Sequence, residues 1–183
     1  ALDVPTRAIL VMIGSPDYFD DRIDGAVNGA LALRQPGSAI KPVTYAAAFE
    51  RDYTPATMVA DVPTTFLTAE GERYVPLNYD LTFHGPVLLR EALASSYNVV
   101  AVKVLDHIGL PAMLDMAPRL GITTFDKAES LGLAATLGGG EVTLLELTTA
   151  YATFAREGLA LSPYAIEKMT KHPFSVFFSR RFS

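Results

Sequence analysis

Ser38 and Lys41 stand three positions apart in the segment Arg-Gln-Pro-Gly-Ser-Ala-Ile-Lys-Pro-Val-Thr-Tyr-Ala-Ala-Ala-Phe-Glu, residues 34–50. On a helix that spacing puts both side chains on one face, so the amine can take the hydroxyl proton and turn a weak nucleophile into a strong one. A lysine does this only where burial lowers its pKa toward neutrality, and Ala39, Ile40, Val43 and Tyr45 offer apolar surroundings. Unpaired N–H groups at the helix start would favour the negative charge that develops beside the serine. Ser-x-x-Lys by itself arises about once by chance in a chain of this size. A serine ahead of an apolar helix is also more often an N-cap than a nucleophile. A second polar group, Ser95-Ser96-Tyr97-Asn98, falls between two apolar helical stretches. There Ser96 and Asn98 can face a cleft or merely cap the second helix.

The surrounding pattern predicts the elements that position these residues. Pro36 and Gly37 end the preceding segment, Ser38 caps a new helix, and the alanine-rich run 43–49 is its buried body. Residues 7–14 carry a continuous apolar run, Ala8 to Ile13, and read as a strand buried on both faces. Residues 16–29 read as a solvated loop; Asp17, Asp20, Asp21 and Asp24 do not make a calcium loop, because no glutamate follows until Glu50. A long irregular stretch from residue 52 runs through Asn78-Tyr-Asp and Phe83-His-Gly-Pro, a length at which loops are often functional. Pro86 is expected to open a helix over 87–94, and Gly109 to end another over 99–108. A further helix spans 110–120. Gly138-Gly139-Gly140 lacks the flanking pattern of a phosphate cradle and reads as a tight turn. Thr143-Leu-Leu-Glu146 is a capping box for a helix over 144–156, and 163–171 can begin a strand. His84, His107 and His172 share no metal-like spacing and are assigned no role.

Composition narrows the function classes. The chain has 183 residues, 50% hydrophobic and 19% charged, which suits one folded domain. A net charge of −5 without a basic stripe argues against nucleic acid as a partner. There are no cysteines, so neither a disulfide framework nor a thiolate metal site exists. The apolar runs 8–13 and 99–102 are far shorter than the roughly 20 residues a spanning helix needs, and no signal peptide stands at the start. Any anchor or export signal is expected outside these residues.

Taken together, several segments resemble the transpeptidase domain of penicillin-binding proteins, above all the bifunctional class A enzymes and their 1C-like branch. They are Arg34-Gln-Pro-Gly-Ser-Ala-Ile-Lys-Pro, Tyr53-Thr-Pro-Ala-Thr, Asn78-Tyr-Asp with Phe83-His-Gly-Pro, Leu89-Arg-Glu-Ala-Leu-Ala-Ser-Ser-Tyr-Asn-Val, and Leu137-Gly-Gly-Gly-Glu-Val-Thr, in the family's order. The resemblance covers residues 7–165. It implies an α/β chain of the α+β type with the β-lactamase/transpeptidase-like fold, represented mostly by its helical subdomain and first sheet strand. It also implies a D,D-transpeptidase that uses no cofactor and is trapped covalently by β-lactam antibiotics. In that mechanism Ser38 attacks the penultimate D-alanine of a peptidoglycan stem peptide, Lys41 accepts its proton, Ser96 relays a proton to the leaving D-alanine, and Asn98 holds the substrate amide. Action outside the cytoplasmic membrane follows, with an anchor and a glycosyltransferase domain expected elsewhere in the protein. The alternatives within the resemblance are a penicillin-binding sensor or scaffold, and a β-lactamase-like or D,D-carboxypeptidase hydrolase.

One departure stands out. The family's third motif, Lys-Thr-Gly or an equivalent, occurs nowhere in the 183 residues. That strand supplies carboxylate binding and leads to an oxyanion donor, and loss of one such donor typically costs roughly 2.7–4 kcal/mol of transition-state stabilisation. The sequence is therefore expected to be a fragment, with 1–172 a partial transpeptidase domain and 173–183 a separate Phe/Arg-rich tail. Its unpaired sheet edges are expected to favour self-association.

Overall fold

The computed structural model describes residues 1–68, 71–172 and 175–179, with side chains described except at 126–131 and from 169 onward. Along the chain come β1 (Leu33–Arg34), α1 (Lys41–Phe49), β2 (Met58–Asp61), β3 (Phe66–Leu67), β4 (Arg73–Tyr74), β5 (Gly85–Leu88), α2 (Leu89–Ala94), α3 (Asn98–Ile108), α4 (Leu110–Leu120), β6 (Val142–Thr143), α5 (Leu144–Ala155), β7 (Lys168–His172) and β8 (Ser175–Ser179). A 3-10 turn, Gly37–Ile40, leads into α1, and a kinked 3-10 segment, Phe125–Leu137, follows α4. Among the described residues the strands form four antiparallel pairs, β1 with β6, β2 with β5, β3 with β4 and β7 with β8.

The core is helical. Helix α3 buries Val99, Val100, Ala101, Val102, Val104, Leu105 and Ile108, apolar on nearly every side, so it must lie inside. Helix α1 packs on it through Val43, Tyr45, Ala47 and Ala48, whose small and flat side chains allow close approach. Helix α4 turns one stripe inward, Ala112, Met113, Met116, Ala117 and Leu120, at the spacing of a single amphipathic face. The Thr44 and Thr136 hydroxyls pair at 2.8 Å in this core, so neither buried oxygen lacks a partner.

The capping box before α5 forms as the sequence predicts. Thr143 Oγ1 accepts the Glu146 N–H at 3.1 Å, and Glu146 Oε2 accepts the Thr143 N–H at 3.3 Å. Burial raises the Glu146 pKa, but its hydrogen bonds from Thr124, Thr123 and Thr143 outweigh this and bring it to about 2.

Three local expectations are corrected. Residues 7–14 are not a buried strand: only isolated bridges, Leu2 with Ile9 and Ala8 with Tyr164, involve them, and Leu10 to Ile13 are each at least 40% exposed. A doubly covered strand needs a ladder and a layer on each face, and the described residues supply neither. The helix expected from residue 87 begins at Leu89, because Pro86 pairs with Ala60 in the β2–β5 ladder and Glu91 Oε2 accepts the Leu88 N–H at 3.1 Å. Ser38 does not cap α1. The 3-10 turn carries the chain into the helix with Ile40 at the cap position and no side-chain cap.

Candidate active site

Ser38 sits on the 3-10 turn with its side chain exposed and no hydrogen bond from its hydroxyl among the described residues, so it is free to react rather than spent on capping. The turn is held from the far end of the chain. Tyr151 of α5 donates its hydroxyl to the Ala39 carbonyl at 3.0 Å, and Gln35 Nε2 donates to the Gly139 carbonyl at 3.3 Å. Gly138, at φ 87°, passes so close that a Cβ there would lie 2.3 Å from the Gly37 backbone nitrogen. Only glycine meets both demands.

The Ser96 turn is strained. Ser96 has φ 58°, a left-handed conformation that costs a non-glycine residue about 1–2 kcal/mol. Backbone bonds from Ser96 N to Leu93 O at 3.1 Å and from Tyr97 N to Ala92 O at 2.9 Å hold it there, between the end of α2 and the start of α3. Such strain persists where the surrounding structure over-determines it, as it does at functional turns.

Lys41 joins the two segments. Its side chain is 1% exposed, and Nζ donates to Ser96 O at 2.6 Å, to Asn98 Oδ1 at 2.7 Å and to Ser96 Oγ at 3.0 Å. Burial lowers its pKa from 10.5 to about 8. Two of the three partners can only accept, whereas the Ser96 hydroxyl can reverse and donate. When Lys41 loses its proton, two N–H groups therefore stay on Ser96 O and Asn98 Oδ1, and the lone pair faces Ser96 Oγ. The hydrogen bonds of Nζ run to Ser96 and Asn98 rather than to Ser38.

Asn98 presents both ends of its amide to the protein, since Nδ2 also donates to the Leu77 carbonyl at 2.8 Å. Ser38, Ser96 and Asn98, with Asn78, Tyr79 and Asp80, line one open cleft of about 390 Å³. Tyr79 stands fully exposed at its rim. The structure thus brings all four sequence-predicted residues together, three on the cleft wall and Lys41 directly behind them. An apolar groove of about 220 Å³ between the N-terminal segment and α5 carries no acid–base side chain and lies elsewhere. Among the described residues no cluster of His, Asp or Glu is placed to hold a metal.

Behind the cleft lie residues that sequence reasoning missed. Asp61 is fully buried and paired with Asn78 and His84, and His84 stacks on Tyr97. The available signal was the density of polar residues in 78–84 ahead of the Ser96 turn. Tyr151 gave none, because its partner Ala39 lies 112 residues away in sequence; the glycine run at Gly138 read as a turn, with nothing to name Gly37 as the backbone it meets.

The family profile for the penicillin-binding protein transpeptidase domain matches residues 1–180. The chain belongs to that family. It is 38% identical over 170 residues to penicillin-binding protein 1A of Aquifex aeolicus, a match that takes in 92% of this chain and 22% of that protein. The solved structure of penicillin-binding protein 1A from Haemophilus influenzae superimposes with a TM-score of 0.75 at 30% identity, over 85% of this chain and 23% of that one. Penicillin-binding protein A of Mycobacterium tuberculosis, solved as its ceftriaxone acyl-enzyme complex, has a TM-score of 0.70 at 23% identity over 88% and 42% of the two chains, and bears on fold alone. The transpeptidase-like fold inferred from the motifs is the fold of these family members. The chain spans about a fifth of the length of the curated relatives it matches, and no helix among its described residues is long and apolar enough to cross a membrane.

Proposed function

We propose that this chain is the serine-bearing part of a D,D-transpeptidase that cross-links peptidoglycan stem peptides. The observation that carries the reading is the buried Lys41 ammonium, bonded to Ser96 and Asn98 on the wall of the cleft that Ser38 lines. Ser38 Oγ forms a bond to the carbonyl carbon of the penultimate D-alanine, and the C–N bond to the terminal D-alanine breaks. In the proposed step the neutral Lys41 amine turns its lone pair from Ser96 Oγ to Ser38 and takes the serine proton, and Ser96, in contact with Lys41, passes a proton to the departing amine. Asn98 exchanges its bond to Leu77 for one to the substrate amide. The amine of a second stem peptide then attacks the acyl-enzyme; its nitrogen bonds to the acyl carbon, the bond to Ser38 breaks, and the proton returns to the serine.

A β-lactam enters by the same first step and stays, because its leaving group remains tethered to the acyl product. The reading places the chain at the outer face of the cytoplasmic membrane, within a longer anchored protein that also carries a glycosyltransferase domain. Incubation with a D-Ala-D-Ala stem peptide and an amine acceptor tests it. Release of D-alanine with a cross-linked dimer is the expected result. Release of D-alanine with only the shortened peptide would make the chain a carboxypeptidase, and no release at all would reduce it to a binding module.

A further inference from the structure

A buried carboxylate sits behind the Ser96 turn and has no part in the acyl-transfer steps. Asp61, the last residue of β2, is 0% exposed. Its oxygens accept from Asn78 Nδ2 at 3.0 and 2.8 Å, from the His84 backbone N–H at 3.0 Å and from His84 Nδ1 at 2.7 Å. A buried charge needs such a set of donors, and here the donors lead to the cleft by two routes. In one, the His84 ring lies flat on Tyr97, with centroids 4.0 Å apart and planes 15° from parallel. Its far edge is tied by Nε2 to Asp80 Oδ2 at 3.1 Å and lies 3.3 Å from Thr82 Oγ1. In the other, Asn78 Oδ1 accepts the Asn98 N–H at 2.8 Å and the Val99 N–H at 3.2 Å, supplying from outside the helix the N-cap that Tyr97 lacks.

We propose that Asp61, Asn78 and His84 form a positioning unit that fixes the Ser96-Tyr97-Asn98 turn against Lys41, an inference that rests on the acyl-transfer reading of the site. His84 fixes the plane of Tyr97, the middle residue of the turn, and Asn78 fixes the first N–H groups of α3. Asp61 holds both. The strained backbone of Ser96 and the amide of Asn98 are then set from either side, which keeps Ser96 O, Ser96 Oγ and Asn98 Oδ1 within reach of Lys41 Nζ. The ionisable groups facing His84 are Asp61 and Asp80, with Tyr97 against its flat face.

The test uses two readouts, the NMR titration of the Lys41 side chain and the rate of acylation by a fluorescent penicillin. His84→Phe keeps a flat ring on Tyr97 and removes both nitrogens, Asn78→Ala removes the cap, and His84→Asn keeps a donor toward Asp61. Leu120→Ala, in the buried face of α4, serves as a control that loses core packing without touching the network. The expected result for His84→Phe and Asn78→Ala is a Lys41 titration moved up from about 8 toward 10.5, as the loosened turn admits water, with acylation slowed about tenfold or more. His84→Asn restores much of both, and Leu120→Ala leaves both at the parent's values despite a lower melting temperature. A Lys41 titration unchanged in His84→Phe and Asn78→Ala would overturn the proposal, as would an equal shift in Leu120→Ala. If the parent is not acylated while the Lys41 titration still moves with the network, the acyl-transfer reading fails and the positioning unit stands.

Discussion

Raising the pH from 6 to 9 titrates the group on which the proposed chemistry turns. Burial sets the Lys41 pKa at about 8, against 10.5 for an ordinary lysine. About one lysine in eleven is then neutral at pH 7, half at pH 8 and about ten in eleven at pH 9. Only the neutral amine can accept the Ser38 proton, so the second-order rate of acylation should rise about tenfold between pH 7 and pH 9, with its midpoint near 8. A lysine with the ordinary value would be neutral only about once in a few thousand molecules at pH 7, and the rate would still be climbing at pH 9. Stopped-flow mixing with a fluorescent penicillin, quenched and resolved by denaturing gel, measures the rate directly. Independent measurement of the penicillin's own hydrolysis at each pH corrects for its decay in base. A flat profile from pH 6 to 9 would refute the assignment of Lys41 as proton acceptor, and so would a slope continuing past pH 9 with no midpoint.

Three further outcomes follow from the same geometry. Folded Lys41 releases its proton near pH 8 while the unfolded lysine holds its own to 10.5, so stability should rise as pH increases across that window, by up to about 3 kcal/mol. Urea unfolding at pH 7.5 and 10 checks this against Lys41→Met, which should lose the lysine's share of the slope. Gly138→Ala forces a methyl group against the Gly37 backbone and a left-handed φ on alanine; a loss of at least about 1–2 kcal/mol by thermal unfolding and slowed acylation of Ser38 are expected. The Tyr45 hydroxyl is buried without a hydrogen-bond partner among the described residues, and burial pushes its pKa up. Tyr45→Phe should therefore leave stability unchanged or raise it by about 1 kcal/mol, read from the melting temperature.

The helices were legible in the sequence because their signals are local. The bounds of α4 follow from Gly109 and Gly121, and the start of α5 follows from Thr143 and Glu146, four residues that act within one turn of their helices. The cleft was legible for a different reason: the spacing of Ser38 with Lys41, and of Ser96 with Asn98, left a capping reading open for each pair, and the resemblance of the surrounding motifs to the transpeptidase family is what singled them out. What escaped the sequence depends on partners distant in the chain. The apolar run 8–13 has the composition of a buried strand, but burial depends on neighbours that no local pattern specifies. Pro86 fits a helix start by propensity, yet pairing with Ala60 carries it into a strand. His84 has no metal-like spacing to any other histidine, and its partner Asp61 stands 23 residues earlier. The departure of Lys41 from Ser38 toward Ser96 and Asn98 is likewise a tertiary fact, since the lysine's choice of acceptors depends on a turn 55 to 57 residues away.

The central claim is that Ser38 is the acylated residue, and intact-mass spectrometry after incubation with penicillin tests it most directly. The expected spectrum shows one penicillin mass added to the parent chain, none added to Ser38→Ala, and a digest that places the adduct on the peptide containing Ser38. An adduct that persists in Ser38→Ala, or a parent chain that gains no mass, would contradict the account.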